Sequence, residues 1–280
     1  MPPQKNAVAG SGKVTGKLPV SGLVITKNES GRIERCLQSL APLCMELIVV
    51  DSLSTDGTQE LARNAGATVI EQAWPGFAAQ KNFALEQASQ PWVLFLDADE
   101  WLSDELASEL RRRFTAANGF APVEQHDIYR VYFRTLFFGR TLRYGEPGQQ
   151  QIIRLMRSTC RYKKMRVHEQ LDLTGQRVSG IENRSAVMMH DTFRSLALYH
   201  QKLMAYAALS AADKFERGNT VTFLDLWLRP LVYLLKNYVF RLGFLDGLSG
   251  YIYHRMQADY VFTKYARLWE KRQTAKQPDE

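Results

Sequence analysis

The sequence predicts an α/β fold in which a mostly parallel sheet is flanked by helices. Three observations carry this. Short apolar runs recur at Leu23 to Thr26, Leu47 to Val50, Thr68 to Ile70 and Trp92 to Leu96. These runs are continuous rather than alternating, the pattern of strands buried on both faces. Between them lie segments with helical apolar spacing, and a regular alternation of strand and helix makes neighbouring strands parallel.

Taken in order, Met1 to Lys17 is rich in Gly, Lys, Ser and Ala and has no apolar block. It reads as a disordered leader, bounded at residues 1–19, and not as a signal peptide. The chain is therefore expected to stay in the cytoplasm. After the first strand, Lys27-Asn28-Glu29-Ser30 is a turn, and Ile33, Leu37 and Leu40 mark a helix. The second strand ends in Asp51, followed by the capping-rich turn Ser52 to Gly57 and a helix closed by Gly66. Ala84, Leu85 and Ala88 place a third helix, and another is expected from near Ser103. Gln151 to Met156 and the segment near Tyr162 read as strands. Leu196, Tyr199, Leu203, Tyr206 and Ser210 repeat at three and four, which predicts a long amphipathic helix. Beyond Gly218, Phe223 to Tyr238 is dense in Leu, Trp and Tyr with Arg229 and Lys236 interspersed, and Pro230 sets a helix start or a kink.

The chain of 280 residues is 45% hydrophobic and 23% charged, enough for a substantial core. Its net charge of +7 is unevenly spread: residues 1–110 carry −6, residues 111–170 carry +9 and residues 171–280 carry +4. An acidic first part followed by a basic stretch predicts an anionic partner for the middle of the chain. Nucleic acid is not expected, since there is no stacking or zinc pattern. Cys36, Cys44 and Cys160 have neither metal-ligand nor disulfide spacing and read as reduced thiols. Neither G-x-G-x-x-G nor G-x-x-x-x-G-K-[ST] occurs, which argues against dehydrogenase and P-loop classes.

The candidate chemistry lies at Leu94-Phe95-Leu96-Asp97-Ala98-Asp99-Glu100. On an extended chain Asp97 and Asp99 point the same way, as hard oxygen ligands of a divalent cation on a nucleotide diphosphate. The competing reading is a solvated strand end, with Asp99 capping the next helix. Asp51 and Asp97 both end strands, and ligands of parallel sheets bind at the carboxyl ends of the strands.

Four segments in this order resemble the inverting glycosyltransferases of family 2, with the GT-A fold. They are Val24-Ile25-Thr26-Lys27-Asn28-Glu29, Ile48-Val49-Val50-Asp51-Ser52 with Ser54-Thr55-Asp56-Gly57-Thr58, Gly76 with Gln80-Lys81-Asn82, and Leu94 to Glu100. More loosely, Val167-His168-Glu169, His190-Asp191, Gly243-Phe244-Leu245-Asp246-Gly247 and Lys264 to Glu270 resemble the bacterial lipopolysaccharide core glucosyltransferase branch. The resemblance implies a UDP-sugar donor and a divalent metal, Mn2+ or Mg2+. Thr26 and Asp51 are then expected at the uracil, with Glu29 and Lys81 near the nucleotide. Asp97 is expected at the ribose or metal, and Asp99 at the metal.

Inverting transfer needs a general base, and Glu169 is the candidate on the family's placement; the alternative is a surface ion pair with a neighbouring Arg or Lys. His190 either adds a metal ligand or is a hydrogen-bonded structural residue. The expected acceptor is the lipopolysaccharide inner core, with glucose as the expected hexose. A polyprenyl-phosphate or another envelope glycan, a sugar-nucleotide pyrophosphorylase and a non-catalytic membrane adaptor remain as alternatives. The expected organisation is a glycosyltransferase domain over 20–217, split near 115, and a helical region over 218–280. No apolar stretch reaches the roughly 20 residues needed to span a bilayer. The terminal helices either lie in the interface of the inner face of the cytoplasmic membrane, against anionic lipid, or pack on protein.

Overall fold

The computed structural model describes residues 16–115, 121–163, 170–191, 193 and 195–275. Strands β1 (Leu18–Thr26), β2 (Cys44–Asp51), β3 (Thr68–Glu71) and β4 (Trp92–Asp97) alternate with helices α1 (Ile33–Leu40), α2 (Thr58–Asn64) and α3 (Phe77–Glu86). Strands β2 and β3 and strands β1 and β4 pair in parallel, as do β1 and β2, with Thr26 opposite Asp51. Leu18 and Pro19, placed above in the leader, already belong to β1. Leu18 is buried and its N–H donates to the Leu43 carbonyl at 2.6 Å.

After β4 come the short β5 (Glu100–Leu102) and α4 (Asp104–Phe114). The Ser103 hydroxyl caps α4 by accepting the Leu106 N–H at 3.2 Å, so neither Asp99 nor Asp104 is the cap. The remaining strands are β6 (Ile128–Phe137), β7 (Arg140–Thr141), β8 (Gln151–Arg157), β9 (Tyr162–Lys163), β10 (Gln170–Leu171), β11 (Val178–Gly180) and β12 (Val187–His190). The main sheet runs β3-β2-β1-β4-β8-β6-β12-β5, with β7 and β11 also on β6. Its first half is parallel; β8 is antiparallel to both β4 and β6, and β12 is antiparallel to β5.

Both faces of the sheet are buried, which is why the strands read as unbroken apolar runs. On one face Val24, Val49, Leu94 and Leu96 pack with Ile33, Leu37 and Leu40 of α1 and Leu106 and Leu110 of α4. On the other, Leu23, Ile25, Val50 and Phe95 pack with Ala84 and Leu85 of α3. All three cysteines are free and buried, and burial pushes the Cys44 thiol up to about 12, so these are inert apolar side chains.

Helix α5 (Leu196–Glu216) packs along α7 (Gly247–Thr274). Its buried stripe is Tyr199, Leu203, Ala207 and Ala211, with Leu196 and Tyr206 of the expected apolar set on the exposed side. A single neighbouring helix covers only a narrow stripe. Helix α6 (Phe223–Leu234) opens with a Thr222–Asp225 capping box, runs through Pro230 and widens into a π-helical turn at Leu235–Phe240. Among the described residues no helix is long and apolar enough to cross a membrane.

The basic stretch after residue 110 is not one surface. Arg112 and Arg113 pair with Glu109, Arg154 with Asp97 and Glu100, and Arg157 with Glu124. Much of its charge is consumed in holding the fold, where sequence counting registered only a total.

Candidate active site

The cleft lies at the carboxyl ends of β1 and β4 and has a volume of about 930 Å³. The loop after β1, which contributes Lys27 and Glu29 to the lining, is fastened to the loop after β2. The Asn28 N–H donates to Ser54 Oγ at 2.8 Å, the Thr55 N–H to Asn28 Oδ1 at 2.9 Å, and the Ser30 N–H to Asp56 Oδ2 at 3.0 Å. Asn28 takes a left-handed φ of 55°, a conformation that Asn tolerates better than most residues. The turns after β1 and β2 therefore hold one shape.

Thr26, Glu29, Lys81, Asp97, Asp99 and His190 all line this cleft. The Thr26 hydroxyl is buried and makes no hydrogen bond among the described residues. A buried hydroxyl left unpaired is costly, and one at the wall of a cleft marks a place where a ligand supplies the partner. Lys81 reaches in from α3, its ammonium 5.7 Å from the Phe95 ring and 5.3 Å from the Tyr162 ring. Glu29 sits behind, paired with Arg32 at 3.4 Å.

Asp51, expected at the base, lies opposite Thr26 on the neighbouring strand. It is fully buried and absent from the cleft wall. Its carboxylate accepts from the Ser54 N–H and from Gln59 Nε2, each at 2.7 Å, and from the Ser54 hydroxyl. These bonds turn it into its own loop, which it holds in place.

Asp97 and Asp99 share the cleft but not an extended chain. Strand β4 stops at Asp97, Ala98 and Asp99 form a turn, and β5 begins at Glu100. The two carboxylates consequently have different partners. Asp99 Oδ2 lies 3.2 Å from His190 Nε2, because β12 runs antiparallel to β5 with His190 opposite Glu100. Asp97 Oδ2 accepts from Arg154 Nη2 at 2.9 Å. Arg154 also forks onto Glu100, from Nε at 2.7 Å and from Nη2 at 2.6 Å. Burial raises the Asp97 carboxyl, but Arg154 and then Lys81 outweigh it and hold Asp97 below the usual range. Glu100, almost wholly enclosed, is pushed up by burial against the opposing pull of Arg154. Burial pulls the Arg154 guanidinium down, but the Glu100 and Asp97 carboxylates outweigh it and hold it above its ordinary value, so the cluster keeps a permanent cation.

Glu100 thus supports Asp97 through Arg154. Arg154 was missed, although an arginine inside the apolar run Ile152, Ile153, Leu155, Met156 is itself a signal. Also missed was an aromatic pair at the cleft rim: Trp74 and Phe77, both exposed, meet edge to face with centroids 4.7 Å apart. Lys202 and Tyr206 of α5 complete the opposite wall. Glu169 and His168 lie outside the described residues.

Among the described residues no group of three or more His, Cys, Asp or Glu side chains gathers around a single point. The Asp99–His190 pair nonetheless offers a hard oxygen and an imidazole nitrogen facing the cleft, a donor set that suits a divalent ion whose remaining positions go to phosphate oxygens and water.

The family profile of glycosyl transferase family 2 matches residues 21–164. The chain is 33% identical over 273 residues to the lipopolysaccharide core biosynthesis glycosyltransferase LpsC of Rhizobium meliloti, covering 94% of this chain and 96% of that protein. It is 29% identical over 266 residues to the uncharacterized glycosyltransferase RP128 of Rickettsia prowazekii, covering 89% and 86%. Among solved structures, the mannosyltransferase PcManGT of Pyrobaculum calidifontis, in complex with GDP-Man and Mn2+, matches with a TM-score of 0.55 over 92% of this chain and 89% of its own at 17% identity. That likeness is one of fold, and the architecture is of the GT-A type.

Proposed function

We propose that this chain, which belongs to glycosyl transferase family 2 and is a glycosyltransferase, moves a hexose from a UDP-sugar to the lipopolysaccharide inner core with inversion at the anomeric carbon. One observation carries the reading: the unpaired Thr26 hydroxyl, Lys81 and the Asp99–His190 pair converge in one cleft at the carboxyl ends of β1 and β4. The 33% identity to LpsC over nearly the whole of both chains supports the lipopolysaccharide core as acceptor; glucose, the hexose expected from the sequence resemblance, is the one to test first.

In this reading the uracil ring lies against Thr26, whose hydroxyl gains its missing partner, while Asp51 holds the adjoining loop. Lys81 supplies positive charge beside the diphosphate. Asp99 and His190 hold a divalent ion, which when bound neutralises charge developing on the departing diphosphate. The Arg154 fork fixes Asp97 as a carboxylate at the ribose. On the Lys202 and Tyr206 side the acceptor hydroxyl attacks the anomeric carbon; the bond to the phosphate oxygen breaks, UDP leaves with the electron pair, and Glu169 takes the acceptor's proton. An acceptor that is lipid-anchored puts the reaction at the inner face of the cytoplasmic membrane.

Incubation with UDP-glucose and other UDP-hexoses in the presence of Mn2+ tests the class. Release of UDP supports transfer, whereas pyrophosphate-dependent formation of UTP would assign a pyrophosphorylase. For the acceptor, the core oligosaccharide of a strain lacking the protein should lose one hexose by mass. An unaltered core would reject this acceptor.

A further inference from the structure

We infer that the outer face of α6, the π-helical turn after it and the start of α7 form a docking surface for anionic lipid. The face is strongly apolar and open. Helix α6 has no buried residue, and Phe223 and Phe240 are each 79% exposed and Leu248 72%. Trp227, Leu242 and Leu245 are exposed beside them. The surface is continuous across the turn, since the Tyr238 ring lies 6.3 Å from that of Phe244 and 5.9 Å from that of Tyr251. A soluble protein does not leave so many large apolar side chains together in water without a partner.

The backbone beneath is built to hold them out. Leu242 adopts a left-handed φ of 60°, which is unfavourable for leucine. A Cβ on Gly243 would stand 2.6 Å from His254 Nε2, and one on Gly250 would stand 2.4 Å from the Gly243 carbonyl oxygen. The interior of the turn is thus closed by small residues, leaving the leucines and phenylalanines no way inward.

Charge chooses the occupant. Between Leu226 and Leu245 the chain carries Arg229, Lys236 and Arg241 and no carboxylate. The flanking acids are taken: Asp225 is paired with Arg229 at 2.6 Å, which leaves Lys236 and Arg241 as the cations of this face, and Asp246 is buried and accepts the N–H groups of Arg143 and Tyr144. Aromatic and aliphatic side chains with cations at their edge suit the headgroup region of an anionic bilayer. A two-fold contact with a second copy would set these cations against one another.

The surface is also tied to the cleft. The Gly145 N–H donates to the Arg241 carbonyl at 2.9 Å, and the chain from Tyr144 runs directly into Gln150, Ile152 and Arg154 of the cleft wall. Lipid bound here fixes the orientation of the cleft to the membrane, a consequence that rests on the lipid-anchored acceptor proposed above.

The test uses the full-length protein and the double variant Phe240→Ser/Leu248→Ser, whose exposed positions leave the fold unstrained. The parent should sediment with phosphatidylglycerol/phosphatidylcholine vesicles at low salt and be released by high salt, and it should ignore phosphatidylcholine alone. The double variant should bind at least about tenfold more weakly, with an unchanged thermal midpoint and unchanged UDP release from UDP-hexose without lipid. Failure of the parent to sediment, equal binding by the variant, or a parent dimer that the variant converts to monomer would each overturn the inference. Loss of UDP release in both proteins would instead reject the transferase reading and leave the lipid result standing.

Discussion

Arg154 and Glu100 are joined by two parallel hydrogen bonds, from Nε at 2.7 Å and from Nη2 at 2.6 Å, and the same Nη2 reaches Asp97. One guanidinium therefore couples a fully enclosed carboxylate to one that faces the cleft.

Removing that guanidinium leaves Glu100 buried without a counter-charge, with the Asp97 N–H at 3.2 Å still bonded to it, so Arg154→Met should cost about 3–5 kcal/mol in urea unfolding. The penalty should depend on pH. With its partner gone, Glu100 has a folded pKa further above its unfolded value, which means the folded state holds the extra proton. Stability of the variant then falls as pH rises above the unfolded carboxylate range, and the gap from the parent narrows towards acid. A constant gap from pH 4 to 8 would mean that Glu100 does not carry the effect.

Thr26→Val deletes the unpaired hydroxyl at constant shape. Since nothing among the described residues satisfies that hydroxyl, the thermal midpoint should hold or rise slightly. UDP affinity by calorimetry should fall about tenfold, the worth of one hydrogen bond to ligand. Unchanged UDP affinity would remove Thr26 from the nucleotide site.

Asp99→Asn should abolish transfer with little effect on folding, because the residue sits in the turn between β4 and β5 and not in the core. Calorimetry should show weaker UDP binding in the presence of Mn2+ and little change in its absence. Chelation of divalent ions should reproduce the loss in the parent. A variant that binds UDP with Mn2+ as tightly as the parent would free Asp99 from metal binding.

Glu169→Gln should retain UDP-sugar binding and lose turnover by about 10²–10⁴-fold, the range for a general base. A near-normal turnover number would point to another base.

His254 is buried against Gly145 and Gly243, with Tyr233 Oη 3.3 Å from Nδ1, and burial lowers it to about 4. The unfolded chain takes up the proton near pH 6.5, before the folded one does. Stability should therefore fall as pH drops from about 6.5 towards 4. Thermal midpoints across that range should slope less in His254→Gln than in the parent.

The sequence by itself determined the layered α/β core and the approximate extent of most of its helices. Apolar runs such as Val49-Val50 and Leu94-Phe95-Leu96 and the helix-closing Gly66 are local signals, read over a few residues and honoured because tertiary packing agrees with them. What the tertiary structure decided concerns groups distant in sequence. Arg154 meets Glu100 across 54 positions, and His190 meets Asp99 only because β12 lies antiparallel to β5. Asp51 looked like Asp97 at a strand end, yet Ser54 of its loop and Gln59 of α2 bond its carboxylate. The turn at Ala98 and Asp99 parted two acids that an extended chain would have aligned. The face of α6 was ambiguous in one dimension, since an apolar periodic helix reads the same whether it is covered or bare. Only the placement of α7 behind it left Phe223, Trp227 and Phe240 exposed, because a helix packed on one side has no further neighbour to bury the other.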